Sequence, residues 1–231
     1  MSGIKDRIII LKHGYSFVKQ ENIWKDLRQY GLISETAMFK KPLLIANPQE
    51  VYLYPYSRLQ THAKILNYTG KFIIKPYGVC SDNLLVVTGN HTPTVGIPQF
   101  FLGNSHINDK ESDIIVGEGA WVGANVTLLA GATIGRGAVI GACSTVNKEI
   151  PPYAVAVGSP ARIIASTFTK EQILAHERLV FKPEDRLSEE EINQLFENNF
   201  VGMKAIGTSE IKDSDQIEYS RIKALLETYP Y

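Results

Sequence analysis

"DIIVGEGAWVGANVTLLAGATIGRGAVIGACSTVNKEIPPYAVAVGSPARII", residues 113–164, places an aliphatic side chain at every sixth position. Val116, Val122, Leu128, Ile134, Ile140 and Val146 keep one frame without interruption, and glycine follows directly at Gly117, Gly123, Gly135 and Gly141. Four positions after each aliphatic comes an uncharged residue: Ala120, Val126, Ala132, Ala138, Ser144 and Ile150. A half-buried strand repeats every two residues and a helix about every 3.6, so neither produces this rhythm. Six residues make one short strand and one tight turn, with the aliphatic pointing into a narrow prism and a glycine or small residue permitting the turn. Three such units close one coil, so residues 116–151 read as two coils of a parallel β-helix, each contacting only its neighbours. An earlier stretch keeps the period more roughly: Leu53, Leu59 and Ile65, then, after a three-residue slip, Ile74, Cys80 and Val86. Cys80 stands where an aliphatic is expected and reads as a small buried hydrophobe.

The rest of the composition narrows the class. The chain of 231 residues carries 24 basic and 24 acidic side chains, without the basic excess a general nucleic-acid binder needs to collect phosphates. Hydrophobic residues at 44% and charged residues at 21% describe a globular chain and not a disordered one. The longest purely aliphatic run, Ile8 to Leu11, is far short of the roughly 18 residues that span a bilayer, and no signal segment is read at the start. Two cysteines, Cys80 and Cys143, are too few for a disulfide framework, so a cytoplasmic location is expected. The neutrality is a sum of unlike parts. Residues 166–231 hold 13 acidic and 8 basic side chains, a net of −5, and residues 1–165 hold 11 and 16, a net of +5.

The quoted segment resembles the signature region of hexapeptide-repeat acyltransferases, and the resemblance extends from about residue 50 to 165. It implies a left-handed parallel β-helix, against the usual right-handed crossover. It also implies a homotrimer with active sites between subunits and acetyl-CoA as donor. Within the family the chain is most similar to the sugar, polysaccharide and xenobiotic O-acetyltransferases. The expected architecture is mainly β: an N-terminal cap over 1–45, the β-helix over 46–165 with an inserted loop at 91–113, and a helical extension over 166–231.

The coil rhythm breaks between Val86 and Val116, an interval too long for a turn and of the kind that carries function. Its Gly89-Asn90-His91 matches the family's "GNH" exit from the coil, which implies His91 as the catalytic histidine. A thioester is already activated, so no protein nucleophile is required. The acceptor hydroxyl must lose a proton as it attacks, and imidazole suits that task near neutral pH. The orienting partner of His91 is not legible, and a backbone N–H of a glycine-rich turn is the expected oxyanion donor. Asn83 and Asn90 are candidate acceptor ligands. Phe100 and Phe101 are candidates to stack on an acceptor ring or to pack against a neighbouring subunit. His106 in the same loop, with His13, His62 and His176, is expected to be solvated.

For the donor, Gly123, Ala124 and Ala142 are small enough to let the pantetheine chain approach the coil backbone. Trp121, at the family's "WIG" position, is read as a ligand contact or a coil-corner residue. From Asp113 to Ala165 the charged side chains are Asp113, Glu118, Arg136, Lys148, Glu149 and Arg162, so Lys148 and Arg162 stand out as candidates for the nucleotide phosphates. Asn147-Lys148 stands where the family commonly has a Thr-Lys dipeptide, a change that loses a hydroxyl at Asn147 and keeps a polar side chain.

Pro151 and Pro152 close the hexapeptide run, because proline cannot donate to a ladder, and Gly158-Ser159-Pro160 form the turn that leads out. A short helix is expected around Asn22 to Tyr30. Beyond residue 165, Thr169 with Gln172 and Ser188 with Glu191 read as capping boxes opening helices, and a third helix is expected over Gln216 to Thr228. No P-loop or pyrophosphate motif is present. The expected function is acetyl-CoA-dependent O-acetylation of a sugar or glycan hydroxyl, with no metal. The alternatives are an N-acyltransferase for amino sugars, an antibiotic O-acetyltransferase, a zinc hydratase using His62, His91 and His106, or an inactive scaffold.

Overall fold

The computed structural model describes residues 27–105 and 107–228. The strand-like start at Ile8 to Leu11, the first part of the helix expected from Asn22, His13 and His106 all lie outside them. Of that helix, the described part is a 3-10 turn at Leu27–Gln29.

The chain winds through five coils of three strands. The first holds β1 (Leu32–Ile33), β2 (Met38–Phe39) and β3 (Leu44–Ile45), and the second β4 (Val51–Leu53), β5 (Arg58–Leu59) and β6 (Lys64–Leu66). The third holds β7 (Phe72–Ile74), β8 (Val79–Cys80) and β9 (Leu85–Val87). An excursion follows, with β10 (Gly89–Asn90), α1 (Gln99–Ser105) and β11 (Lys110–Glu111). The fourth coil is β12 (Ile114–Val116), β13 (Trp121–Val122) and β14 (Thr127–Leu129), and the fifth β15 (Thr133–Ile134), β16 (Val139–Ile140) and β17 (Thr145–Val146). Equivalent strands pair in parallel from coil to coil, giving three faces: β1-β4-β7-β12-β15, β2-β5-β8-β13-β16 and β3-β6-β9-β14-β17. The winding begins at Leu32, so the first coil lies inside the segment expected as an N-terminal cap.

All six aliphatics of the period-six frame are at most 1% exposed, as are Leu53, Leu59, Ile65, Ile74, Cys80 and Val86. The second uncharged column, Ala120, Val126, Ala132, Ala138, Ser144 and Ile150, is equally buried and lines the corners. Corners turn through left-handed backbone in stacked columns. Tyr56, Tyr77, Gly119, Gly137 and Tyr153 form one column between the first and second faces, and His62, Asn83, Asn125 and Cys143 another between the second and third. Each column is laced from coil to coil, as by Asn125 N–H to Asp82 O (2.9 Å) and Cys143 N–H to Ala124 O (2.9 Å).

The edge between the third and first faces is different, because every irregularity of the winding falls there. It takes the 3-10 turn Pro48–Glu50, then the three-residue slip, then the whole excursion from Thr88 to Asp113. The slip is absorbed around Asn67, whose side chain is buried and bonds both the N–H and the C=O of Asn47 (3.1 and 2.8 Å).

The winding continues half a coil past the prolines. Gly135 N–H donates to Ile150 O (2.8 Å), and β18 (Ala154–Gly158) adds to the second face beside β16. The chain then reverses at residues 158–160, and β19 (Ala161–Ser166) pairs with β18 antiparallel, which ends the parallel ladder. Both capping boxes are formed, opening α2 (Lys170–Val180) and α3 (Glu189–Asn199), and α4 (Gln216–Thr228) matches the third expected helix. Ile173 of α2 and Ile192 of α3 pack with the fully buried Tyr153 ring. Glu177, one turn after Ile173, is also buried, and its carboxylate accepts from Tyr153 Oη, from Arg136 Nη1 (3.0 Å) and from Leu187 N (3.0 Å). Arg136 further donates to Asp185 O (2.7 Å) and lies over the Phe181 ring, so this coil cation fastens the helical extension.

His176, expected to be solvated, is instead partly buried among the rings of Tyr153, Phe168 and Phe181 (centroids at 6.0, 5.3 and 6.3 Å). Sequence placed it on an exposed helix; packing against the end of the solenoid covers that side. Burial, aided by the Arg136 charge and opposed by Glu177, holds its pKa below the ordinary 6.5. The folded state therefore binds fewer protons at this site than the unfolded chain, and stability falls as pH drops below about 6.5. The unfolding midpoint is expected to decrease from about pH 7 to about pH 5, with His176→Gln removing part of that decrease in calorimetric scans.

Candidate active site

His91 stands at the root of the excursion, one residue past β10. The hairpin register pairs Gly89 with Glu111 and Asn90 with Lys110, so the next position in each strand sets His91 opposite Asp109. Their side chains meet: His91 Nδ1 is 2.9 Å from Asp109 Oδ1 and 3.1 Å from Oδ2. A carboxylate only accepts, so Nδ1 carries the proton and the lone pair of the neutral ring is on Nε2. The histidine is 49% exposed and the carboxylate 16%, so the imidazole is accessible while its partner is shielded. Asp109 is the hydrogen-bond partner of Nδ1 that sequence could not name. Its signal is the register, and a gap of 18 residues with no tight-turn pair fixes no register in advance.

The base of the excursion is closed on the coil. Ser112 N–H donates to Thr88 O (2.9 Å), and Lys71 N–H to Asp113 Oδ1 (2.8 Å). Glu111 Oε2 accepts from the buried Thr88 Oγ1 (2.6 Å) and from Gly70 N (3.0 Å). Further out, Asn108 Nδ2 donates to Thr94 Oγ1 (3.0 Å), joining the two limbs. The loop expected at 91–113 is thus an arm with its own strand pair and helix, and not a disordered crossing.

The remaining candidates fall on two edges of the prism. Asn90 is exposed on β10, beside His91, and Phe100 and Phe101 project from α1 at 76% and 60% exposure, ring edge to ring face (5.3 Å). Asn147 and Lys148 are exposed two coils further along that same edge, just past β17. The second set lies on the second face and the edge beyond it. Trp121 is half exposed on β13 between Val79 and Val139, and Ala124, Ala142 and Asn83 lie in the corners that follow β13, β16 and β8. Asn83 is exposed with φ +58°, a turn position shared with its column, so its residue type already has a backbone reason. Arg162 is exposed on β19 above that face. Gly123 is buried, and a Cβ there would come within 2.7 Å of Ala142 N and 2.9 Å of Ile140 O. The next coil fills the space its missing side chain leaves, a different reason for glycine from the ligand approach expected of it.

His62 occupies the corner after β5, with Nδ1 3.0 Å from Thr61 Oγ1, on a different edge from His91. Among the described residues no three His, Cys, Asp or Glu side chains are grouped to hold a metal ion, and no helix is long and apolar enough to cross a membrane.

The structure is thus a six-residue β-helix with a histidine–carboxylate pair on an arm from one edge. Residues 113–148 match the family "Bacterial transferase hexapeptide (six repeats)", and the chain carries that repeat. A putative acetyltransferase of Staphylococcus aureus is 46% identical over 56 residues, which are 24% of this chain and 28% of that relative. The chain thus spans about a third of the length of the curated relatives it matches. The hexapeptide-repeat acetyltransferase of Vibrio cholerae shares the fold at a TM-score of 0.56 and 20% identity, over 64% of this chain and 80% of that one. The maltose O-acetyltransferase of Clostridium difficile aligns at a TM-score of 0.51 and 26% identity, over 65% and 75% of the two chains.

Proposed function

We propose that the chain is an acetyl-CoA-dependent O-acetyltransferase that acetylates a hydroxyl of a sugar or glycan, wound as a left-handed β-helix. The observation that carries this reading is the His91–Asp109 pair on an arm of a hexapeptide solenoid. His91 Nε2 removes the proton of the acceptor hydroxyl as its oxygen attacks the thioester carbonyl. The tetrahedral oxyanion collapses, the C–S bond breaks, and the departing CoA thiolate takes the proton back from the imidazolium. Asp109 holds the ring in the required tautomer and stabilises its charge, as a carboxylate does for histidine bases generally. Asn83, Asn90, Phe100 and Phe101 are proposed to hold the acceptor. Trp121, Ala124 and Ala142 line the pantetheine path, with Asn147, Lys148 and Arg162 toward the phosphates, while Gly123 lets the coils stack beneath it.

The candidate donor and acceptor residues are divided between two edges of the prism. That division supports a homotrimer in which the His91 edge of one copy faces the small-residue edge of the next. A cytoplasmic setting and a role in polysaccharide modification belong to the same proposal.

The test is to incubate the purified chain with acetyl-CoA and, in separate reactions, maltose or chloramphenicol, and to detect acetylated product by mass spectrometry, because the exposed Cys143 would react with thiol reagents. Lys148→Ala and Arg162→Ala are each expected to raise KM for acetyl-CoA about tenfold with kcat little changed, as loss of a charge-assisted phosphate contact does. An absence of acetyl-CoA binding in calorimetry overturns the reading.

A further inference from the structure

We propose that Glu111 is a positioning residue that sets the register of the β10–β11 hairpin and thereby brings Asp109 to His91. The inference rests on the reading of His91 as the base. The hairpin has only two paired positions, Gly89 with Glu111 and Asn90 with Lys110, and so brief a ladder does not specify its own alignment. A slip of one residue would place Asn108 or Lys110 opposite His91 in place of the carboxylate.

A backbone bond from Ser112 N–H to Thr88 O (2.9 Å) continues the pairing at the coil, and Glu111 is the side chain that ties the returning strand to the coil at one position. One carboxylate oxygen accepts from Thr88 Oγ1 (2.6 Å), at the end of the third coil, and from Gly70 N (3.0 Å), at the preceding corner. The other oxygen lies against its cross-strand partner Gly89, where a Cβ would stand 2.1 Å from it. Glycine at 89 is therefore matched to glutamate at 111. Asp113, bonded to Lys71 N (2.8 Å), anchors the chain only after the strand pair has ended. The bond from Asn108 to Thr94 joins the arm's own limbs and leaves their alignment with the coil to Glu111 and the Ser112–Thr88 backbone bond.

The experiment uses the full chain labelled with ¹⁵N-histidine, with long-range ¹H–¹⁵N spectra reporting the tautomer. Wild type is expected to show His91 as the Nδ1–H form. Glu111→Ala and Gly89→Ala are expected to lose that signature. Glu111→Gln keeps an acceptor for Thr88 and Gly70 and is expected to restore it. In acetyl transfer from acetyl-CoA to maltose or chloramphenicol, Glu111→Ala is expected to lower kcat by the same factor as Asp109→Asn, with KM for acetyl-CoA unchanged. The Glu111→Ala/Asp109→Asn double variant should fall within about twofold of Asp109→Asn alone, because residues acting through one contact are not additive. An unaltered His91 tautomer in both Glu111→Ala and Gly89→Ala overturns the proposal, as does a double variant whose loss is the product of the two single losses. Should wild type transfer no acetyl group, the functional reading fails while the tautomer comparison still decides the role of Glu111.

Discussion

His91→Ala is expected to lower kcat for acetyl transfer by about 10²–10⁴-fold, the contribution of a positioned general base. Binding of acetyl-CoA and the thermal unfolding midpoint should stay close to wild type. This side chain is half exposed, on an arm outside the prism, and its bond to Asp109 lies beyond the last ladder pair. An enzyme with wild-type turnover in this variant would remove His91 from the chemistry. The pattern of kcat lost with KM retained separates a base from a binding residue, since only the former acts on the transition state alone.

The second large effect is structural. Glu177→Ala is expected to destabilise the folded chain by about 3–5 kcal/mol, the loss found when one partner of a buried ion pair is removed. Three donors converge on that carboxylate: Arg136 Nη1, Tyr153 Oη and Leu187 N. Removal leaves the guanidinium with only Asp185 O (2.7 Å) and the more distant Glu118 carboxylate (3.8 Å), and leaves a buried phenol without its acceptor. Chemical denaturation should show the fall. Proteolysis should show the helical extension released before the coils, because Arg136 and Tyr153 are where the coil grips it. A variant as stable as wild type would mean that the aromatic cluster alone fastens the extension.

Much of the solenoid was legible in advance. The frame from Val116 to Val146 named interior positions correctly because every strand of a narrow prism must send an apolar side chain inward, and coil stacking repeats that demand at a fixed interval. The rougher coils were also readable, and the place of Cys80 in the frame identified it as interior. The first coil was missed, since Leu32, Met38 and Leu44 point outward and the inward Ile33, Phe39 and Ile45 are flanked by a proline-containing turn and no glycine rhythm. Capping boxes at Thr169 and Ser188 were readable because they are local. His176 was misplaced because its surroundings come from Tyr153 and Phe181, residues that only the docked helix brings near.

The same division runs through the site. The period of six and the glycines between the strands determined the coil, its interior and the point where the chain leaves it, because those are set by contacts within a few residues or between equivalent positions. Which carboxylate faces His91 was decided by the register of a two-rung hairpin, by Glu111 reaching back to Thr88 and Gly70, and by the arm closing through Asn108. Those partners are up to 41 residues apart, and no local propensity fixes such a distance. Sequence determined where the chain leaves the coil with a histidine; tertiary structure decided which carboxylate meets it.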